Sequence, residues 1–209
     1  MPGFILHQHG NDRPDPVYWP LAANQLFRPG DPVAIGSGPT ANQLIASASN
    51  GAFLPPAGCV GIAAQGALGT QSPSRGTLTY GGTSALAAGP TADTMRSFYP
   101  ATDGLFIRTR NFWTTVAGTT QDVKTGALRG NFFQIAAENV ADDIAQWGVV
   151  NAAGVLGTHL IAHIIDVLDG NRVPVISGAT LTAGAGFLVF KIIGAAQWSA
   201  DTATATVAS

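Results

Sequence analysis

Residues Leu26–Ala64, LFRPGDPVAIGSGPTANQLIASASNGAFLPPAGCVGIAA, carry the fold reading for the whole chain. Three short apolar pieces stand in this stretch with no proline inside them: Val33-Ala34-Ile35, Asn42 to Ala46, and Cys59 to Ala63. Turns rich in Gly, Pro and Asn separate them, and the pieces have the length of strands. None is long enough to close several helical turns, so the stretch predicts strand, turn, strand.

The rest of the composition points the same way. The chain has 209 residues, of which 26 are Gly and 13 are Pro, while Asp, Glu, Lys and Arg together make up only 11%. It has a single Glu, Glu138, and two Lys, Lys124 and Lys191. With so few solvent-facing helix formers, turns and strands should dominate. We therefore expect a mainly β fold. Its core should be a β-barrel or β-sandwich, with long loops, extended terminal arms and at most one or two short helices. The expected division is an N-terminal extended arm over 1–20, a β-rich domain over 21–198 with a loop-rich excursion at 65–104, and a C-terminal tail over 199–209.

Several function classes are disfavoured. A formal net charge of -2 leaves no track of Lys and Arg for wrapping nucleic acid. A low charge content with a mean hydropathy of +0.23 suits a protein whose surface is partly covered, as in an oligomer or an assembly. The single cysteine, Cys59, excludes an intrachain disulfide framework and a four-cysteine metal site, and its apolar setting predicts a buried, inert thiol. No signal peptide is visible and no run of about 18 apolar residues occurs, so we expect synthesis in a cytoplasm and no membrane partner.

Along the chain, Pro2, Pro14, Pro16 and Pro20 hold the first twenty residues extended. Phe4, Ile5, Leu6, Tyr18 and Trp19 are too apolar for an idle tail, so this arm should lie against its own domain or a neighbour. His7 and His9, with Asp12 and Asp15 nearby, could face a metal from one side of a strand, but no third or fourth ligand is specified; solvated or hydrogen-bonded histidines are expected. Gln65 to Pro100 is poor in large apolar residues and reads as loops with one alternating strand at Gly76–Tyr80. In Leu105–Val116, Leu105, Ile107 and Thr109 share one parity and Phe106, Arg108 and Arg110 the other. This predicts a strand with arginines on a wet or interfacial face.

Phe133, Ala136/Ala137, Val140, Ile144 and Trp147 fit a helical period, with Asn131 as a cap and Gly148 as a stop, although two short strands around Asn139 would give the same letters. Glu138, Asp142 and Asp143 would then fall on a solvated helix face. His159 and His163 lie four apart with Asp166 beyond, but Leu160 occupies the position where a zinc-protease motif needs Glu. A structural or interface pair on a strand is expected there instead. Leu168-Asp169-Gly170-Asn171-Arg172 predicts a hairpin between Ile164–Leu168 and Val173–Ile176, with Pro174 placing the second strand at an edge. Phe187–Ile193 is an apolar strand able to cross the core. No nucleophile elbow or phosphate-binding loop occurs, so no catalytic, cofactor-binding or metal residue is expected.

The Pro29-Gly30-Asp31-Pro32-Val33 turn and strand, followed by Gly58, Val60, Gly61, Ile62 and Ala63, resembles the head decoration, or cement, proteins of tailed bacteriophages. Leu181-Thr182-x-Gly184 before the last apolar strand is similar in style, and the likeness covers roughly a third of the chain. It implies a non-enzymatic virion protein on the capsid surface that bridges major capsid protein subunits, as a homotrimer or another homo-oligomer. Phe4, Ile5, Leu6, Tyr18, Trp19, Arg108 and Arg110 are the candidate partner contacts. Another virion component, such as a tail or fibre-associated protein, is the alternative. Further off stand a β-scaffold hydrolase or lyase, which needs a pocket joining His159, His163 and Asp166, and a carbohydrate-binding module with an aromatic platform at Trp113 or Trp147.

Overall fold

The computed structural model describes residues 4–7, 14–22, 25, 27–36, 43–46, 59–67, 95–101, 105–114, 123, 126–138, 146–153, 160–176, 186–193, 196–197 and 206–207. The fold is mainly β, with two sheets that do not close into a barrel and form a sandwich-like core. The strands are β1 (Ile5–Leu6), β2 (Val17–Pro20), β3 (Pro32–Ile35), β4 (Leu44–Ala46), β5 (Gly61–Ala63), β6 (Met95–Pro100), β7 (Ile107–Thr109), β8 (Phe112–Trp113), β9 (Phe132–Glu138), β10 (Gln146–Ala153), β11 (Ile161–Leu168), β12 (Phe187–Ile193), β13 (Ala196–Gln197) and β14 (Thr206–Val207). Among the described residues, helix is limited to a single 3-10 turn, Gly126–Leu128.

One sheet has seven strands in the order β1-β7-β12-β11-β9-β10-β8; the other has five, in the order β2-β6-β5-β3-β4. Strands β13 and β14 form a separate ribbon. Every strand pairing is antiparallel except β10 with β8. The chain thus enters the seven-stranded sheet at β1, builds the five-stranded sheet with β2 to β6, and returns.

The Pro-Gly-Asp-Pro-Val turn and the Gly-Ile-Ala strand are neighbours, with Pro32 opposite Ile62 and Val33 opposite Gly61. Gly30 has φ 92, and a Cβ there would stand 2.2 Å from the Phe4 carbonyl oxygen, so only glycine lets this turn meet the N-terminal segment. Asp31 closes the turn: its Oδ2 accepts the Arg28 N–H at 2.7 Å, and its carbonyl accepts the Ala63 N–H at 2.8 Å. The Phe4 side chain is buried in the main core, 5.2 Å from Phe190 and 6.5 Å from Trp147 between ring centres. That core draws Cys59, Ile62 and Tyr99 from the five-stranded side and Ile107, Ile135, Val149, Ile164, Leu188 and Phe190 from the other sheet. A second cluster around Leu21, Phe27, Val33, Leu44 and Phe98 fills the five-stranded sheet, with Trp19 packed against it.

The helix expected over 133–147 does not form. The segment supplies β9 and β10, paired with Trp147 opposite Ala137 and Val149 opposite Ile135. Ala136 deceived the period count: it is buried because the opposite face of the sheet is also covered there, by Trp113 and Val150. Glu138 therefore lies on a strand, opposite Gln146, and Asp142 and Asp143 fall outside the described residues. The strand at Phe187–Ile193 stands where expected, and Gly76–Tyr80 lies outside the described residues.

The turn after β11 is tight. Asp169 Oδ1 accepts the Asn171 and Val173 N–H groups, each at 2.8 Å, and Arg172 takes the left-handed position with φ 68. Residues 173–176 make an isolated bridge rather than the expected second strand: Leu168 opposes Pro174, and the Val175 N–H donates to the Val167 carbonyl at 2.8 Å. Pro174 has no N–H with which to continue a ladder.

Candidate interaction surface

Side chains alternate across a strand, so the register of β7, β12 and β11 decides which residues share a face. Ile107 opposite Phe190 and Thr109 opposite Leu188 turn inward. Arg108 opposite Val189 turns outward, and Ile5 opposite Arg108 joins it from β1. One step along, His163 stands opposite both Lys191 and Phe132. At the far end Leu168 opposes Phe187.

These outward residues form a surface of cations laid on aromatic rings. The Arg110 guanidinium lies 4.2 Å from the Phe187 ring centre and that of Arg108 lies 5.8 Å from it, while Lys191 Nζ lies 5.0 Å from the Phe106 ring centre. The His163 ring stacks on Phe132 with centres 4.4 Å apart and planes 10° from parallel. Beneath the cations, Leu168, Phe187 and Val189 make a small buried cluster with Phe106 against it. Arg108 Nε is buried without a hydrogen-bond partner among the described residues. Burial first, and then the charge of Arg172, hold the Arg108 guanidinium below its ordinary pKa. It stays a cation.

Asp166, opposite Val189, is engaged elsewhere. Arg129 Nε donates to its Oδ1 at 3.1 Å, a second guanidinium nitrogen of Arg129 also contacts that oxygen, and the same nitrogen donates to the Val175 carbonyl at 3.0 Å. Asp166 Oδ1 further accepts the Val167 N–H at 2.8 Å.

The seven candidate contacts divide. Ile5, 38% exposed, joins Arg108 and Arg110 on the outer face of the seven-stranded sheet. Tyr18, 56% exposed, and half-buried Trp19 belong to the five-stranded sheet, where they oppose Ser97 and Arg96. Phe4 is corrected: 1% exposed in its own core, it has no surface to offer a partner. Leu6 opposes Ile107 and packs against the same core. Sequence reasoning places Phe106 on the arginines' side of its strand and His163 in a structural or interface pair, but misses Phe132, Phe187 and Lys191 as part of this surface. The parity of Phe187, Val189 and Lys191 against Leu188 and Phe190 held the signal.

The other readings meet their own obstacles. Trp113 and Trp147 are each 2% exposed and offer no sugar platform. His9, Asp12 and His159 lie outside the described residues, and among the described residues no group of three or more His, Cys, Asp and Glu is placed to hold a metal. Cys59 is buried, its thiol pushed up to about 12 by burial, and donates to the Gly61 carbonyl at 3.6 Å. Among the described residues no helix is long and apolar enough to cross a membrane. No family model, curated protein or solved structure matches the chain.

Proposed function

We propose that this chain is a structural protein of a virion that decorates and stabilises an icosahedral capsid by bridging major capsid protein subunits, acting as a homo-oligomer and without catalysis of its own. The observation that supports this reading is the outer face of β7 and β12, where Arg108, Arg110 and Lys191 are spread over Phe187 and Phe106 with Ile5 at the margin. Arginine and aromatic residues are the types enriched where proteins bury surface against one another. Such a face sits on a body whose described residues pack into two main hydrophobic clusters, one drawn from both sheets and one within the five-stranded sheet. The resemblance of the Pro29–Val33 turn and the Gly58–Ala63 strand to phage cement proteins selects the capsid among possible assemblies.

A protein that binds the assembled shell and not its separated subunits stabilises the shell by mass action. Particles stripped of it should still form but release their genome at lower temperature or weaker osmotic shock, and added protein should restore resistance. Equal stability with and without it, or absence of the protein from purified particles, would overturn the proposal.

A further inference from the structure

We infer that the outer face of β7 and β12 is a docking site for a carboxylate-rich protein surface, whose Asp and Glu side chains would be taken by Arg108, Arg110 and Lys191. The inference rests on the proposed function for the partner's setting, and on the geometry for its chemistry. Three of the chain's ten Lys and Arg residues lie over aromatic rings at this face, although the chain as a whole is net negative. Among the described residues, Asp166 on the same face is already held by Arg129 and by the Val167 N–H, so it is engaged away from these cations. The guanidiniums of Arg110 and Arg108 lie 4.2 and 5.8 Å from the Phe187 ring centre, a contact that removes part of the rotamer entropy that a charged contact costs. Arg108 keeps a buried Nε without a partner among the described residues. An incoming carboxylate would relieve the repulsion between the cations, and a planar carboxylate fits the fork of a guanidinium.

A nucleic acid fits this surface less well. Phosphate binding is built on cations tracking a backbone, and here they form a compact patch with apolar Ile5 and Phe132 exposed at its edges. That mixture, an arginine centre with apolar and aromatic surroundings, belongs to protein interfaces.

The test uses the full chain, isotopically labelled, titrated with a ten-residue polyglutamate peptide and separately with a ten-nucleotide oligothymidylate at low salt. Polyglutamate should bind saturably, with amide shifts concentrated on Phe106–Arg110 and Phe187–Lys191. Affinity should fall about tenfold in R110Q/K191Q, because two charge-assisted contacts are lost. Both substituted side chains sit at the surface, and the spectrum of the free variant reports that the fold is retained. No saturable binding, shifts mapping elsewhere, equal affinity in the variant, or tighter binding of the oligonucleotide would each overturn the inference. Polyglutamate binding with no retention on capsids would instead sink the capsid proposal alone; capsid retention unaffected by R110Q/K191Q would sink the docking site alone.

Discussion

The inner and outer faces of the seven-stranded sheet are made from alternate residues of the same strands, yet they are built to different ends. On β12, Leu188 and Phe190 turn inward against Phe4, Ile107 and Trp147, while Phe187, Val189 and Lys191 turn outward under Arg108 and Arg110. The inner face is closed by a second sheet. At β7 and β12 the outer face carries its own cations laid over Phe187 and Phe106. Stability should therefore be concentrated on the first face and binding on the second, and substitutions on alternate residues of one strand should separate the two properties.

The largest effect belongs to the inner face. Phe4→Ala or Phe190→Ala removes a ring from a fully buried contact and should cost about 3–5 kcal/mol in urea unfolding. For Phe4 the prediction also tests whether the first residues are a detachable strap: a loss below about 1 kcal/mol would mean that the segment is peripheral to the fold. Next comes Gly61→Ala, whose Cβ would stand 2.1 Å from the Tyr99 carbonyl oxygen. It should strain the pairing of β5 with β6 at a cost of about 1–3 kcal/mol, read by the same unfolding curves.

A third test concerns the turn that locks Phe4 in place. Asp31 is 4% exposed, and burial pushes its carboxyl up to about 7, against the opposing pull of the Arg28 N–H and the Arg28 charge. The folded state thus binds a proton more tightly than the unfolded chain, whose carboxyl titrates near 3.8. Its contribution to stability is fully present below about 3.8 and is lost as pH rises toward 7. Asp31→Asn keeps an acceptor for the Arg28 N–H and should flatten the melting temperature across that pH window; a slope unchanged in the variant would assign it to another group.

The smallest effect belongs to the outer face. Arg110→Gln and Lys191→Gln should each change stability by less than about 1 kcal/mol, since exposed cation–aromatic contacts contribute only about 0.5–1 kcal/mol. A larger loss in either would make the face part of the fold rather than a surface held ready for a partner.

Much of this arrangement was legible in the residues. Strict alternation exposed Leu105, Ile107 and Thr109 as one side of the segment that carries β7, and the Gly and Pro punctuation of Leu26–Ala64 marked β3, β4 and β5. The reading failed where a strand is buried on both faces. Ala136 and Val150 are covered by Trp113 on the outer side, so β9 and β10 lose the period of two and mimic a helix. The fate of Phe4 was hidden for another reason. Its burial depends on Gly30, on a turn more than twenty residues away, and no local pattern announces a contact of that range. The docking face was half visible, because Arg108 and Arg110 declare themselves within one strand. Their companions Phe187 and Lys191 arrive from β12, and only the register of Leu188 with Thr109 brings them together.

The most direct measurement compares wild type and R110Q/K191Q for melting temperature and for retention on cognate capsid shells that lack the protein, with free and shell-bound fractions separated by sedimentation. The account predicts melting temperatures that differ by only a few degrees. It also predicts stoichiometric retention of wild type that is lost from the variant and weakens as salt screens the contact. Failure of wild type to sediment with the shells, or equal retention of the variant at every salt concentration, would contradict it.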